Sequence, residues 1–243
     1  MIANATRRIG VGVLATAGMV TASLAATAAP ATPHAEGDSN APASAPAAVV
    51  DFTRADLEAM FPGRVGDPAI VDEGLPTLNQ AMLDAGITTP YRQAAFLATI
   101  AHESIFEYNI REIGDTRPYG GRGYIQLTGD FNYGPAGDYF GIDLLGNPDL
   151  ALSLEWSAPI ARWYWTVARD INPMADALDM GAVNAAIGYP AGEEDNRRCD
   201  SFKSALQYLT GSVPAGVNCT RPAAYRGDTR DLSRAEWEAL GDW

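Results

Sequence analysis

The chain is poor in lysine, histidine and cysteine: of 243 residues one is Lys (Lys203), two are His (His34 and His102) and two are Cys (Cys199 and Cys219). Two imidazoles, one of them (His34) in a linker ahead of the folded domain, are too few for a His-built metal site, so chemistry without metal or cofactor is the expectation. Positive charge is scarce too. With 17 Lys+Arg against 30 Asp+Glu, the formal net charge is −13, and a surface of that sign repels phosphate backbones and anionic lipid. Neither nucleic acid nor a membrane surface is expected as a partner. Sustained apolar/polar alternation is missing except at Tyr124-Ile125-Gln126-Leu127, which leaves room for at most one small hairpin. No internal repeat is present.

What is there divides the chain in three. Arg7 and Arg8 precede an uncharged apolar run from Ile9 to Ala29, and Ala26-Thr27-Ala28 offers the small-x-small pattern read by a signal peptidase. Residues 1–28 are therefore expected to be a secretion signal and the protein extracellular. An uncleaved anchor is the alternative, weakened by the many Ala, Gly and Thr in the run. Residues 29–48 are Ala/Pro/Ser-rich with nothing to bury and read as a linker. Residues 49–243 are left as one domain, with no second domain in view and no membrane contact after signal removal. Export makes the cysteines legible: Cys199 and Cys219, a lone pair twenty residues apart, are expected to form a disulfide. Two buried free thiols are the other reading, and the spacing excludes a CxxC redox or zinc motif.

Within the domain the apolar residues recur at helical spacing. Thr53-Arg54-Ala55-Asp56 reads as a helix start, Pro76 as the start of a second helix closed by Gly86, and Thr89-Pro90 as the start of a third running to about Ser104. Further helices are predicted over Glu155–Asp170, Met174–Ala186 and Asn196–Leu209, with a last short one capped by Ser233-Arg234-Ala235-Glu236. The fold class is all-α.

On the third helix Glu103 falls seven residues after Phe96 and three after Ile100, at the edge of the core-facing stripe. An apolar wall there would disfavour the carboxylate and suit a proton donor; a solvated surface glutamate is the plainer alternative. His102-Glu103 is not a zinc-protease motif, because position 106 is Phe, and no Gly-x-Ser-x-Gly elbow accompanies His102 for a serine triad. Glu107, Glu112 and Asp115 lie on irregular chain before the turn Gly120-Gly121-Arg122-Gly123, whose glycines permit positive φ or close backbone approach.

Taken together, Ala101-His102-Glu103-Ser104, Arg111-Glu112, Gly121-Arg122-Gly123-Tyr124-Ile125-Gln126-Leu127-Thr128 and Phe131-Asn132-Tyr133-Gly134 resemble the signature run of glycoside hydrolase family 19, the chitinases of plants and bacteria with the related phage endolysins. The resemblance implies a lysozyme-like, two-lobed helical domain with a substrate cleft. It also implies inverting hydrolysis of β-1,4-linked N-acetylglucosamine polymers, in which Glu103 matches the general acid and Glu112 the general base. That chemistry needs the two carboxyls roughly 6.5–9.5 Å apart, with a water between. Thr128 matches a hydroxyl that helps hold the water; His102, Gln126 and Asn132 match subsite positions, Tyr133 packs beneath them, and Arg198 matches the arginine that steadies the acid. The sequence departs from the family late in the chain. An expected Ile-Asn-Gly-Gly run corresponds to Ala186-Ile187-Gly188-Tyr189, placing Ile187 where the amide belongs, with Asn184 a turn earlier as the candidate to compensate. Glu107 is the rival to Glu112 for the base.

Trp156, Ile160, Trp163, Tyr164 and Val167 are spaced as a core stripe rather than a sugar-stacking platform. The expected partner is chitin; peptidoglycan glycan is the alternative substrate, and a binder that has lost turnover is the alternative of another class. A monomer is expected.

Overall fold

The computed structural model describes residues 51–188 and 192–222. The leader, the linker, Tyr189 and the helix expected at Ser233–Glu236 lie outside the described residues.

Eight α-helices are present among the described residues, and the first three starts have a local cause. α1 (Arg54–Met60) begins at the expected helix start, where Thr53 and Asp56 form a capping box. α3 (Pro90–Glu103) opens with Thr89 capping the N–H of Arg92 and Pro90 in the first turn, as read from the sequence. The second helix starts earlier than its proline suggested. α2 runs Pro68–Asp84 with Pro76 inside it, because the Asp67 carboxylate caps Ala69 and Ile70 and Pro68 supplies the favoured first-turn proline. A helix absent from the expectations, α4 (Asp130–Phe140), contains Gly134, Pro135 and Gly137. Packing holds it: a Cβ on Gly137 would lie 2.7 Å from the carbonyl of Ile142, so close approach of the next segment requires glycine there.

The segment predicted as one helix over 155–170 is α5 (Ser157–Trp163) followed by a π-helical turn, Tyr164–Ala168. Five residues per hydrogen-bonded step rotate the following side chains off the α stripe. Trp165 therefore enters the core, edge-on to Phe96 with ring centroids 5.1 Å apart, while Val167 is 53% exposed. Trp163 and Tyr164 are buried as expected. The next predicted helix is likewise two, α6 (Asn172–Asp176) and α7 (Met180–Ile187), broken at Leu178, whose φ is +57°. α8 (Glu193–Thr210) packs along α3 and is bonded through Cys199 to Cys219. In the chain-entropy picture a loop of that length is stabilised by roughly 3 kcal/mol. Arg221 pairs with Asp195 on the first turns of α8 (2.9 Å), so the disulfide and this ion pair fix the tail to the end of α8 that faces α3.

No strand is present among the described residues. In place of a hairpin there are isolated antiparallel bridges, Arg111 with Arg122 and Arg122 with Leu127. No described helix is long and apolar enough to cross a membrane.

Candidate active site

The structure gathers the predicted residues into two groups. The first is built where α3 ends against α8. Glu194, Arg198 and Ser201 are spaced four and three residues apart and so share one face of α8. Arg198 is buried with its Nη2 2.6 Å from Glu103 Oε1 and its Nε 3.6 Å from Glu194 Oε1. The Glu103 side chain is only 12% exposed. Burial raises its proton affinity, and the Arg198 charge opposes that rise. Its place in the last turn of a helix adds to the disfavour of an anion there, since the negative end of the helix dipole lies at the C-terminus. The chain leaves Glu103 through two consecutive non-glycine residues at positive φ, Ile105 (+48°) and Phe106 (+66°). The Phe106 ring, packed 5.5 Å from Phe61, holds this reversal in place, and strain of this kind concentrates at functional positions.

His102, matched to a sugar subsite by the resemblance, packs against α8. Its side chain is 0% exposed, with Nδ1 2.5 Å from Glu194 Oε1 and Nε2 2.9 Å from Ser201 Oγ. Facing α8 rather than open surface, the ring holds the carboxylate that in turn holds Arg198. Burial, with help from Arg64 and Arg198, lowers its pKa from 6.5 to about 4. The neutral ring then donates from Nδ1–H to Glu194 and accepts the Ser201 hydroxyl proton at Nε2. Between about pH 4 and 6.5 the unfolded chain binds a proton that the folded chain refuses, so stability rises with pH through that window. Melting temperatures measured from pH 7 down to 4 are expected to fall more steeply for the native protein than for His102→Asn, which keeps a donor at the Nδ1 position and has nothing to titrate.

The second group is the loop carrying Glu112. The Glu112 N–H donates to the Gly121 carbonyl (2.8 Å), and the Gly121 N–H approaches Glu112 Oε2 at 3.4 Å. A Cβ on Gly121 would stand 2.8 Å from Gln126 Oε1 and 3.2 Å from Glu112 Oε2; the close approach predicted for this turn is real. Burial and the neighbouring Asp115 carboxylate raise the proton affinity of Glu112. On the flanks Arg111 and Arg122 both reach Asp149 Oδ1, Arg122 through Nε at 2.9 Å. The buried Arg122 guanidinium also donates to Gly120 O and to the Tyr133 hydroxyl, so Tyr133 packs beneath the turn.

Gln126 and Asn132, expected at subsites, are engaged by the protein itself. Gln126, at φ +50°, donates both amide hydrogens to backbone, to Ile110 O (3.2 Å) and Gly123 O (2.9 Å). Asn132 is buried, donates to Thr128 O (2.8 Å) and receives Arg169 Nη2 (3.4 Å). They shape the loop's frame rather than present free donors. Thr128 is half-buried beside them, its hydroxyl donating to Gln126 O at 2.9 Å. Glu107, the rival base, accepts the Asp67 N–H at 2.7 Å and so ties α3's exit to the start of α2. Asn184 is buried and donates to Asp195 O (3.3 Å), which leaves it no surface from which to replace the missing amide at Ile187.

Sequence reasoning missed Glu194, Ser201, Arg117 and Asp149. The 194/198/201 spacing was a usable signal once Arg198 was singled out; the convergence of Arg111 and Arg122 on Asp149 depends on a tertiary contact.

Residues 91–221 match the family model of glycoside hydrolase family 19, described as chitinase class I. Among curated relatives, an endochitinase of Avena sativa is 40% identical over 96 residues, covering 36% of this chain and 47% of the relative. Chitinase 8 of Oryza sativa subsp. japonica is 45% identical over 102 residues, covering 41% and 37%. The chain thus spans less than half the length of these relatives. Among solved structures, chitinase C from Streptomyces griseus superposes with a TM-score of 0.57 at 24% identity, over 71% of this chain and 98% of that one. A bacterial family 19 chitinase gives 0.54 at 26% identity, over 71% and 100%.

Proposed function

Because this chain belongs to glycoside hydrolase family 19, we propose that it is a secreted glycosidase that cleaves β-1,4 bonds of N-acetylglucosamine polymers, chitin first among them, with inversion at the anomeric carbon. The observation that carries the reading is Glu103: a nearly buried carboxyl at a helix end, its acid form favoured by burial and its position fixed by Arg198 at 2.6 Å. Such a group, its acid form favoured by burial, can deliver a proton to the leaving glycosidic oxygen, while Arg198 steadies the carboxylate that remains.

Glu112 takes the complementary part. Ionised, it accepts a proton from water on the opposite face of the ring as that water attacks the anomeric carbon, and Thr128 is the hydroxyl that helps hold the water. Because attack and departure occur on opposite faces in one step, the new hydroxyl carries inverted configuration. An acidic surface favours a neutral polymer over an anionic cell-wall glycan, which supports chitin over peptidoglycan.

The test follows the stereochemistry. Proton NMR of a short N-acetylglucosamine oligomer during the first minutes of hydrolysis is expected to show the α-anomer growing ahead of mutarotation. First appearance of the β-anomer would overturn the inverting reading. Release of reducing ends from peptidoglycan but not from colloidal chitin would overturn the substrate.

A further inference from the structure

Residues 112–121 fold back on themselves. The Asp115 N–H approaches the Glu112 carbonyl at 3.3 Å, and the Glu112 N–H donates to Gly121. Two consecutive glycines then hold two carboxyls. A Cβ on Gly120 would lie 2.5 Å from Asp115 Oδ2, and one on Gly121 3.2 Å from Glu112 Oε2, so both glycines are needed for room rather than for turn geometry alone. Arg117 spans the pair. Its Nε lies 3.0 Å from each Asp115 oxygen, and its Nη2 is 2.5 Å from Asp115 Oδ2 and 3.4 Å from Glu112 Oε2. The Arg117 N–H donates to Asp115 Oδ1 as well (2.8 Å).

The Asp115 side chain is 3% exposed; its bond to the Arg117 N–H closes the turn, and its second oxygen is left to the arginine fork that also reaches Glu112. We propose that Asp115 and Arg117 are positioning residues for Glu112: the arginine fork anchors on Asp115 and fixes the Glu112 carboxylate beside a second one. This rests on the reading of Glu112 as the base.

The chemistry follows from the two environments. Arg117 holds the Asp115 carboxyl far below the usual carboxylate range. Burial and that adjacent negative charge then push Glu112 up, against the Gly121 N–H and the Arg117 charge. A base with greater proton affinity takes the proton of the attacking water more readily, provided the working pH stays above its titration. Asp115 and Arg117 are charged groups that bear on Glu112. The loop's other cations, Arg111 and Arg122, are directed to Asp149. The two carboxyls titrate as a unit, so the measurable quantity is the acidic limb of the rate profile.

The experiment is the pH dependence of kcat/KM on a soluble N-acetylglucosamine oligomer, for the full-length protein, Asp115→Asn, Arg117→Gln and Glu112→Gln, with a thermal melt of each. Asp115→Asn is expected to move the acidic limb to lower pH, because the like charge is gone. Arg117→Gln is expected to move it to higher pH, because the cation is gone. The basic limb, set by Glu103, stays in place in both. Loss of activity without limb movement, or movement of both variants in the same direction, would overturn the proposal. If Asp115→Asn does not fold, the direction of Arg117→Gln decides alone. Wild-type activity in Glu112→Gln would instead remove the base assignment itself, a failure distinct from that of the positioning pair.

Discussion

Glu103→Gln is expected to abolish turnover of N-acetylglucosamine oligomers, by at least about 10²-fold in kcat, the scale of a lost general acid, with oligomer affinity nearly unchanged. The amide keeps the shape of the carboxyl but has no proton of useful acidity for a leaving alkoxide. Neighbouring residues cannot supply one. The His102 ring is neutral, enclosed and bound to Glu194 and Ser201, and the Arg198 guanidinium faces Glu194 as well. The fold should tolerate the change, because Arg198 keeps Glu194 as a counter-charge at 3.6 Å. The two readouts separate the two classes of function: calorimetry of oligomer binding to Glu103→Gln should match the native protein while the rate collapses. A variant turning over within a few-fold of the native rate would remove Glu103 from the chemistry. A native protein that binds oligomers and never cleaves them would make the chain a binder with a relic site.

How far the sequence foretold this site can be followed residue by residue. The end of α3 was legible because its punctuation is local: Thr89-Pro90 starts the helix, and the Phe96/Ile100 spacing puts Glu103 at the rim of the buried stripe. The Gly120-Gly121 turn was legible for a similar reason, since paired glycines signal close approach even when the approaching group is unknown. The contacts of His102 were not legible, because adjacent helix positions point about 100° apart, and which of them meets α8 is decided by docking of the two helices rather than by either sequence. α4 was missed because Gly134, Pro135 and Gly137 are poor helix formers; tight packing against Ile142 overrides that propensity. Pro76 misled in the opposite sense, a first-turn residue by preference placed mid-helix after a stronger cap at Asp67. The π-helical turn at Tyr164–Ala168 leaves no mark in periodicity, yet it decides that Trp165 rather than Val167 enters the core.

The last expectation separates Glu112 from Glu107 as the base. Glu112→Gln should lower kcat by about 10²-fold or more, whereas Glu107→Gln should leave kcat close to native. The Glu107 carboxylate is already occupied in holding the fold. Its Oε1 accepts the Asp67 N–H at 2.7 Å, and Gly66 is glycine where a Cβ would come within 2.3 Å of that same oxygen. A glutamine can still accept that hydrogen bond through its carbonyl. Glu107→Ala cannot, and should cost about 1 kcal/mol of stability without touching the chemistry. Leaving-group dependence sharpens the assignment further. On an aryl glycoside of an N-acetylglucosamine oligomer the departing phenolate needs little protonation, so Glu103→Gln should recover much of its lost rate there. Water must still be deprotonated by the base, and Glu112→Gln should remain as impaired as on the natural linkage. Recovery in both variants, or a collapse in Glu107→Gln with native rates in Glu112→Gln, would reverse the roles drawn for these carboxylates.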